Sequence, residues 1–259
     1  MLTPTNTFKA ALRQGATQFG LWVGITDSIC VEIAAGAGFD WLLLDAEHAP
    51  NDVRTLLIAL QTVAAYPVRP LVRVPSADPI MIKRVLDIGA QSLLVPMVET
   101  ADQARQLVAA MRYPPEGFRG VGTGLARAAR WNRVTDYFKR ANAEMCLIVQ
   151  IETQAGLDSI EAIAAVDGVD ALFVGPADLA AALGHLGQRT HPAVREAVRA
   201  AFQRIRATGK ACGSISSDEA VARNYLDQGC QFVALGVDTT LLAAAQRSLV
   251  QRFKPDAGG

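Results

Sequence analysis

The sequence is short of several things, and each shortage closes off a class of function. Its four cysteines, Cys30, Cys146, Cys212 and Cys230, have neither metal-ligand nor redox spacing. Three stand in or beside apolar runs and read as buried, reduced thiols. Charge of neither sign prevails, since 25 basic residues face 25 acidic ones. With no basic stripe and no aromatic-interleaved patch, nucleic acid is not an expected partner. No stretch approaches the roughly 20 uninterrupted apolar residues of a membrane span. The opening Met1-Leu-Thr-Pro-Thr-Asn lacks the basic flank and apolar run of a secretion signal. A cytoplasmic protein with no membrane contact is expected.

What is present is core-forming material. The 259 residues are 51% hydrophobic and 19% charged, which suits one large α/β domain spanning 1–259. Short apolar runs bounded by glycine, proline or charge predict strands at 19–24, 41–45, 70–75, 92–96, 145–151, 171–174, 211–215 and 231–235. Helical segments fall between them at 28–37, 51–64, 78–88, 100–111, 156–165, 192–208, 218–227 and 239–252. Shorter extra helices are expected at 8–14, 135–142 and 176–183, and a loose tail at 255–259. Eight strands alternating with helices predict a single (β/α)8 TIM barrel. A Gly/Pro-rich loop at 113–124 interrupts the rhythm, and such loops usually line a site.

Internal echoes support the count. The runs opening on Gly38, Gly89, Gly168 and Gly229 resemble one another, each glycine standing where it can end the preceding helix. Leu71–Pro75, Ile148–Glu152 and Cys212–Ser216 also superimpose, which makes Arg73, Gln150 and Ser214 equivalent. Residues two apart on a strand share a face. Arg73, Gln150 and Glu152 should therefore point together into the barrel mouth, where buried polar groups need partners.

Chemistry concentrates at strand ends. Trp41-Leu-Leu-Leu-Asp45-Ala-Glu47-His48 is an apolar run that stops in two acids and a histidine. His48 suits a general base oriented by Asp45, although a solvated histidine and a loop-anchoring Asp45 fit as well. Glu152 and Asp178 follow adjacent strands and suit a hard divalent metal. Alternatively, Asp178 caps its helix and Glu152 pairs with Arg73. The fork of Arg73, the Gln150 amide and the backbone amides of Gly175-Pro176-Ala177-Asp178 together suit a small carboxylate. Gly120-Val-Gly122-Thr-Gly124 is only a weak phosphate-loop signal, because no Gly-Lys-Ser/Thr follows. No lysine lies at an expected strand end, which disfavours a Schiff base.

Five motifs stand in a recognisable order: Asp45-Ala-Glu47-His48-Ala-Pro-Asn, Arg119-Gly-Val-Gly-Thr-Gly-Leu-Ala-Arg127, Gln150-Ile-Glu152-Thr, Gly175-Pro-Ala-Asp178-Leu and Leu235-Gly-Val-Asp-Thr-Thr. Through them the chain resembles the metal-dependent class II pyruvate aldolases of the HpcH/HpaI type. The resemblance runs from about Phe8 to Phe253. It implies a (β/α)8 barrel assembled as a homo-hexamer, a dimer of trimers, with the C-terminal helix exchanged between subunits. It implies a divalent ion (Mg, Mn or Co, with Zn a further candidate) held by Glu152 and Asp178 and chelated by pyruvate. Arg73 would contact the keto oxygen and stabilise the metal-bound enolate, with Gln150 nearby, while Gly175, Pro176 and Ala177 frame the carboxylate. His48, oriented by Asp45, would act as base through a metal-bound water. Trp22, Val121 and neighbouring-subunit residues would shape the acceptor pocket. Two departures are Ala46, where relatives often carry glycine, and Ala129, where they often carry serine at the site's mouth.

The expected activity is reversible retro-aldol cleavage of a 4-hydroxy-2-oxoacid to pyruvate, or a related 2-oxoacid such as hydroxypyruvate, and an aldehyde. The alternatives are a malyl- or citramalyl-CoA-type lyase and a non-catalytic 2-oxoacid-binding protein. The first would need contacts for coenzyme A, and no distinctive basic patch supplies them.

Overall fold

A computed structural model describes residues 1–25 and 27–254, so the tail expected to be loose lies outside the described residues. A lead-in helix α1 (Thr7–Arg13) precedes β1 (Gln18–Val23), α2 (Ser28–Ala35), β2 (Trp41–Asp45) and α3 (Val53–Val63). Next come β3 (Arg69–Arg73), α4 (Pro79–Asp87), β4 (Ser92–Val95) and α5 (Ala101–Met111). A long loop holding one 3-10 turn (Arg127–Ala129) leads to α6 (Tyr137–Glu144), β5 (Cys146–Ile151), α7 (Gln154–Asp158) and α8 (Ile160–Ala164). Then follow β6 (Val169–Val174), α9 (Pro176–Ala182), α10 (Pro192–Ala207), β7 (Ala211–Ile215), α11 (Glu219–Asp227), β8 (Phe232–Val237) and α12 (Asp238–Gln251). The eight strands pair in chain order, all parallel, and β8 returns to β1 to close the barrel. The helix expected at 156–165 is two pieces that meet at Ser159, the first capped by the Thr153 hydroxyl.

Local chemistry fixes these boundaries. Asp27, Asp52, Asp78 and Asp218 cap α2, α3, α4 and α11 by accepting backbone N–H bonds. At the other ends, Gly38, Gly89, Gly168 and Gly229 take φ of 93°, 108°, 98° and 85°, the left-handed turn that releases each helix into the next strand.

Inside the barrel, bulk faces absence of bulk. A Cβ on Gly20 would lie 2.2 Å from the Trp41 ring, and one on Gly213 would lie 2.3 Å from Phe232. Those two glycines let the large rings fill the lumen. From below, α1 inserts Phe8 against Trp41 and Phe232, with centroids 6.2 and 5.7 Å away. Burying that one ring stabilises the fold by about 2 kcal/mol. The closed bottom leaves the opposite rim for ligands.

The sequence register slips at one place. Ser214 faces the helix layer, not the mouth, and its Oγ donates to Val174 O at 2.9 Å. Ala211 belongs to the lumen cluster and Cys212 to the outer one, so the inward residues of β7 alternate from Ala211. Superposing Ser214 on Arg73 is therefore one residue out, which turns the side chain to the wrong face. The cysteine reading holds: all four are free, and Cys146, Cys212 and Cys230 are buried.

The last helix does not behave like the others. No residue of α12 is buried, and Leu241, Leu242, Leu249 and Val250 stand exposed along it. The outer seam of β8 and β1, which an eighth barrel helix normally covers, leaves Phe19 and Leu235 each 38% exposed. They border a cavity of about 390 Å³ with Ala222 and Leu226 of α11. Among the described residues, no helix is long and apolar enough to cross a membrane.

Candidate active site

The site is built from side chains that period-two alternation turns inward at the C-terminal rim. Asp45 ends β2, and its register partner on β3 is Arg73. Arg73 Nε donates to Asp45 Oδ1 at 2.8 Å and Nη2 to Oδ2 at 2.7 Å, a bidentate clamp. Trp22 of β1 completes it. Its Nε1 donates to Asp45 Oδ2 at 3.1 Å, and its ring lies 4.7 Å from the guanidinium carbon. Arg73 is 6% exposed and Trp22 6%. Trp22 thus braces the clamp from β1.

Burial pushes the Asp45 carboxyl up, but the hydrogen bonds and charge of Arg73, the Glu47 amide and Trp22 outweigh it. The carboxyl ends below its ordinary range. Both oxygens are so engaged, and no hydrogen bond joins Asp45 to His48, the residue the sequence reading gave it to orient. The acid beside His48 is Glu47, whose Oε2 lies 3.9 Å from His48 Nε2. The sequence reading noted Glu47 as one of two acids but gave it no role, although its place two residues beyond Asp45 is the signal that puts both on one face. Its Oε2 is also 2.7 Å from Arg73 Nη1. The contact is out of line with the N–H, so this buried oxygen has an ion-pair neighbour but no hydrogen bond. Burial lifts the Glu47 carboxyl more than Arg73 and His48 lower it, and Asp45 and Asp178 lift it further. The His48 side chain itself is 65% exposed, free to meet a ligand at the rim.

The second cluster is centred on Glu152, directly after β5 and 2% exposed. Its Oε1 accepts the Met97 N–H at 2.9 Å, and its Oε2 accepts from Gln150 Nε2. Neither partner is a cation. Arg73 does not reach it, which removes the alternative of a Glu152–Arg73 pair. Burial raises the Glu152 carboxyl to about 7, against the two hydrogen bonds, and the neighbouring Asp178 and Glu47 charges add to the rise. Met97 reaches this position through a φ of 57°, left-handed for a residue with a side chain. Nothing in the sequence announces that amide.

Asp178 lies on the first turn of α9, exposed, and makes no capping bond; the N-cap is Gly175, and no side chain caps this helix. Gly175 N–H donates to Ile151 O at 3.1 Å, and Pro176 has no N–H. The free amides at this helix start are therefore those of Ala177 and Asp178, not of Gly175. Gly175 serves by being bare, since a Cβ there would lie 2.7 Å from Glu152 Oε2. Ala129 is away from the mouth, packed with Tyr113, Val134, Tyr137 and Ala141, so its methyl cannot alter the site directly. Val121 is exposed on the long loop.

The residues present fit a divalent ion. Two carboxylates without cationic partners approach each other at one rim, and the buried Gln150 Oε1 and Glu47 Oε2 lack hydrogen bonds. Among the described residues, no group of three or more His, Cys, Asp or Glu is placed to hold a metal. Two carboxylates completed by substrate and water are the usual magnesium-type arrangement.

Comparison with known proteins agrees with this architecture. Residues 18–245 match the family model described as HpcH/HpaI aldolase/citrate lyase. A hydroxypyruvate/pyruvate aldolase of Deinococcus radiodurans is 60% identical over 96% of this chain and 90% of that protein. A 4-hydroxy-2-oxo-heptane-1,7-dioate aldolase of Salmonella arizonae is 55% identical over 96% of this chain and 94% of its own length. The crystal structure of a family protein from Burkholderia cenocepacia superimposes with a TM-score of 0.93 at 42% identity, covering 96% of this chain and 100% of that one. With its barrel, its rim of acids and a family match over most of its length, this chain belongs to the HpcH/HpaI aldolase/citrate lyase family.

Proposed function

We propose that the protein is a class II aldolase that reversibly cleaves a 4-hydroxy-2-oxoacid to pyruvate, or hydroxypyruvate, and an aldehyde, with Glu152 and Asp178 holding a divalent ion. One observation carries the reading. Glu152 is a buried carboxylate with no cationic partner, held by a left-handed backbone amide and the Gln150 side chain. Such a group is costly unless a cation completes it.

A bound Mg, Mn or Co ion would supply Lewis-acid polarisation of the substrate's keto oxygen. The chain's own residues divide the remaining work. The amides of Ala177 and Asp178 donate to the substrate carboxylate. The Asp45 clamp leaves N–H groups on both terminal nitrogens of Arg73, and these donate to the C2 oxygen as it gains charge. His48 removes the proton of the C4 hydroxyl. The C4–O bond becomes a carbonyl, the C3–C4 pair moves to C2 and its oxygen, and the aldehyde departs, leaving pyruvate enolate. A proton returned to C3 completes pyruvate. Glu47 Oε2, 3.9 Å from His48 Nε2, is the acid nearest that base. The relatives named as a hydroxypyruvate/pyruvate aldolase and a 4-hydroxy-2-oxo-heptane-1,7-dioate aldolase support this substrate class.

The bare seam over β8 and β1 and the unburied α12 also support exchange of that helix between copies, within a hexamer. The test of function is a panel of aldehydes offered with pyruvate or hydroxypyruvate and excess Mn, read as aldol formation. Formation with several aldehydes, lost on chelation, is expected. Activity only with coenzyme A thioesters would replace the reading by a thioester lyase.

A further inference from the structure

The loop after α5 carries arginines to which the proposed chemistry gives no role. Arg119 is spoken for: it is buried, bonded to Asp87 and stacked over Tyr113 at 4.5 Å. Arg127, eight residues on, and Arg130, three beyond it, are not neutralised in that way. Arg127 Nη1 donates to Ile88 O at 2.9 Å and Nη2 to Leu60 O at 3.3 Å, bridging the C-terminal ends of α4 and α3. Carbonyls there carry the negative ends of the helix dipoles. Arg130 is half-buried and makes no ion pair or side-chain hydrogen bond among the described residues. Burial, with Arg130 so near, holds Arg127 below the ordinary guanidinium range. Arg130, Trp131 and Asn132 take φ of 49°, 53° and 66°, so three successive side-chain-bearing residues are held in the left-handed region.

Both guanidiniums line one cavity of about 230 Å³. Its walls include Leu60, Val63, Val68 and Met145, with the Tyr137 ring and Gln91 at the side, and no acid lines it. The bare Cα of Gly89 keeps the cation in place, for a Cβ there would lie 2.7 Å from Arg127 Nη1. These residues lie at the starts of β3 and β4 and the ends of α3 and α4, at the end of the barrel opposite the rim. An apolar pocket with an uncompensated guanidinium matches an anionic head on an apolar body. A polyphosphate would meet too few donors and too much hydrocarbon.

We propose that this cavity is a second ligand site, which takes a small monocarboxylate with an aliphatic or aromatic body, its carboxylate on Arg130 and Arg127. The inference is independent of the aldolase reading. The test uses the full chain and 4-fluorobenzoate, followed by fluorine NMR. Saturable binding of one molecule per chain is expected, undiminished by excess pyruvate and by Glu152→Gln. Arg130→Asn, which tolerates the left-handed backbone, should weaken binding at least about tenfold. Ala128→Leu, which keeps both cations but fills the space, should also weaken it. Neither should slow the exchange of pyruvate protons at the rim. Displacement by pyruvate, equal displacement by inorganic phosphate, or indifference to both substitutions would overturn the proposal. So would absence of binding in a folded chain whose mass falls on Arg130→Asn, since the counter-ion would then be a carboxylate of a neighbouring copy.

Discussion

Glu152→Gln should make the metal-free protein more stable at pH 8 while removing its response to metal. Burial pushes the folded carboxyl up to about 7, from the ordinary 4.5. A carboxyl whose folded value lies above its unfolded one favours the protonated form in the native state. Its contribution is therefore fully present below the unfolded value and is lost as pH rises through about 7. At 1.36 kcal/mol per unit, the loss amounts to about 3 kcal/mol by pH 8. Glutamine carries no charge to desolvate, but its amide nitrogen faces the donor Gln150 Nε2 and forfeits about 1–2 kcal/mol of hydrogen bonding. Desolvation wins, and a net gain of about 1–2 kcal/mol is expected, a shift of several degrees in Tm. Calorimetry of chelator-treated protein from pH 5 to 8 gives the readout. The wild-type Tm should fall relative to the variant across this window. Added Mn should reverse the order by raising only the wild type, since the ion favours the ionised carboxylate. Parallel curves without metal, or equal Mn stabilisation of both proteins, would refute the reasoning.

Three further outcomes follow from the same geometry. Asp45→Asn removes the charge from the clamp on Arg73 and should lower kcat/KM about a hundredfold or more, at roughly 3 kcal/mol for a buried charge-assisted pair; steady-state kinetics decide, and near-normal turnover contradicts the clamp. Gly175→Ala drives a methyl to within 2.7 Å of Glu152 Oε2 and should weaken Mn binding about tenfold or more, as seen by electron paramagnetic resonance, with the fold intact by circular dichroism. Ending the chain after Val237 removes α12 and should lower the number of copies per particle in sedimentation; an unchanged number would show that α12 takes no part in assembly.

The barrel was legible because each strand is a short apolar run and four helices stop at glycines that must turn left-handed. Arg73, Gln150 and Glu152 were legible as a set because alternation alone puts them inside. Ser214 was misplaced because Cys212-Gly213-Ser214 has no contrast between large apolar and polar residues to set its register. The Asp45–Arg73 clamp depends on the register of two strands 28 residues apart, which no local pattern encodes. Asp45 and His48 are close in sequence, and that proximity suggested a dyad; the guanidinium across the strand pair is the stronger partner for the acid. The Met97 amide was invisible because backbone donors carry no residue signature.

Everything in the proposed chemistry turns on the acids at the rim loading an ion that makes a 2-oxoacid give up a C3 proton. Proton NMR of pyruvate in deuterium oxide measures that step without any aldehyde. The methyl signal should vanish with wild-type protein plus Mn, and persist after chelation and with Glu152→Gln or Asp178→Asn. Exchange that continues at full rate without metal, or in either variant, would contradict it.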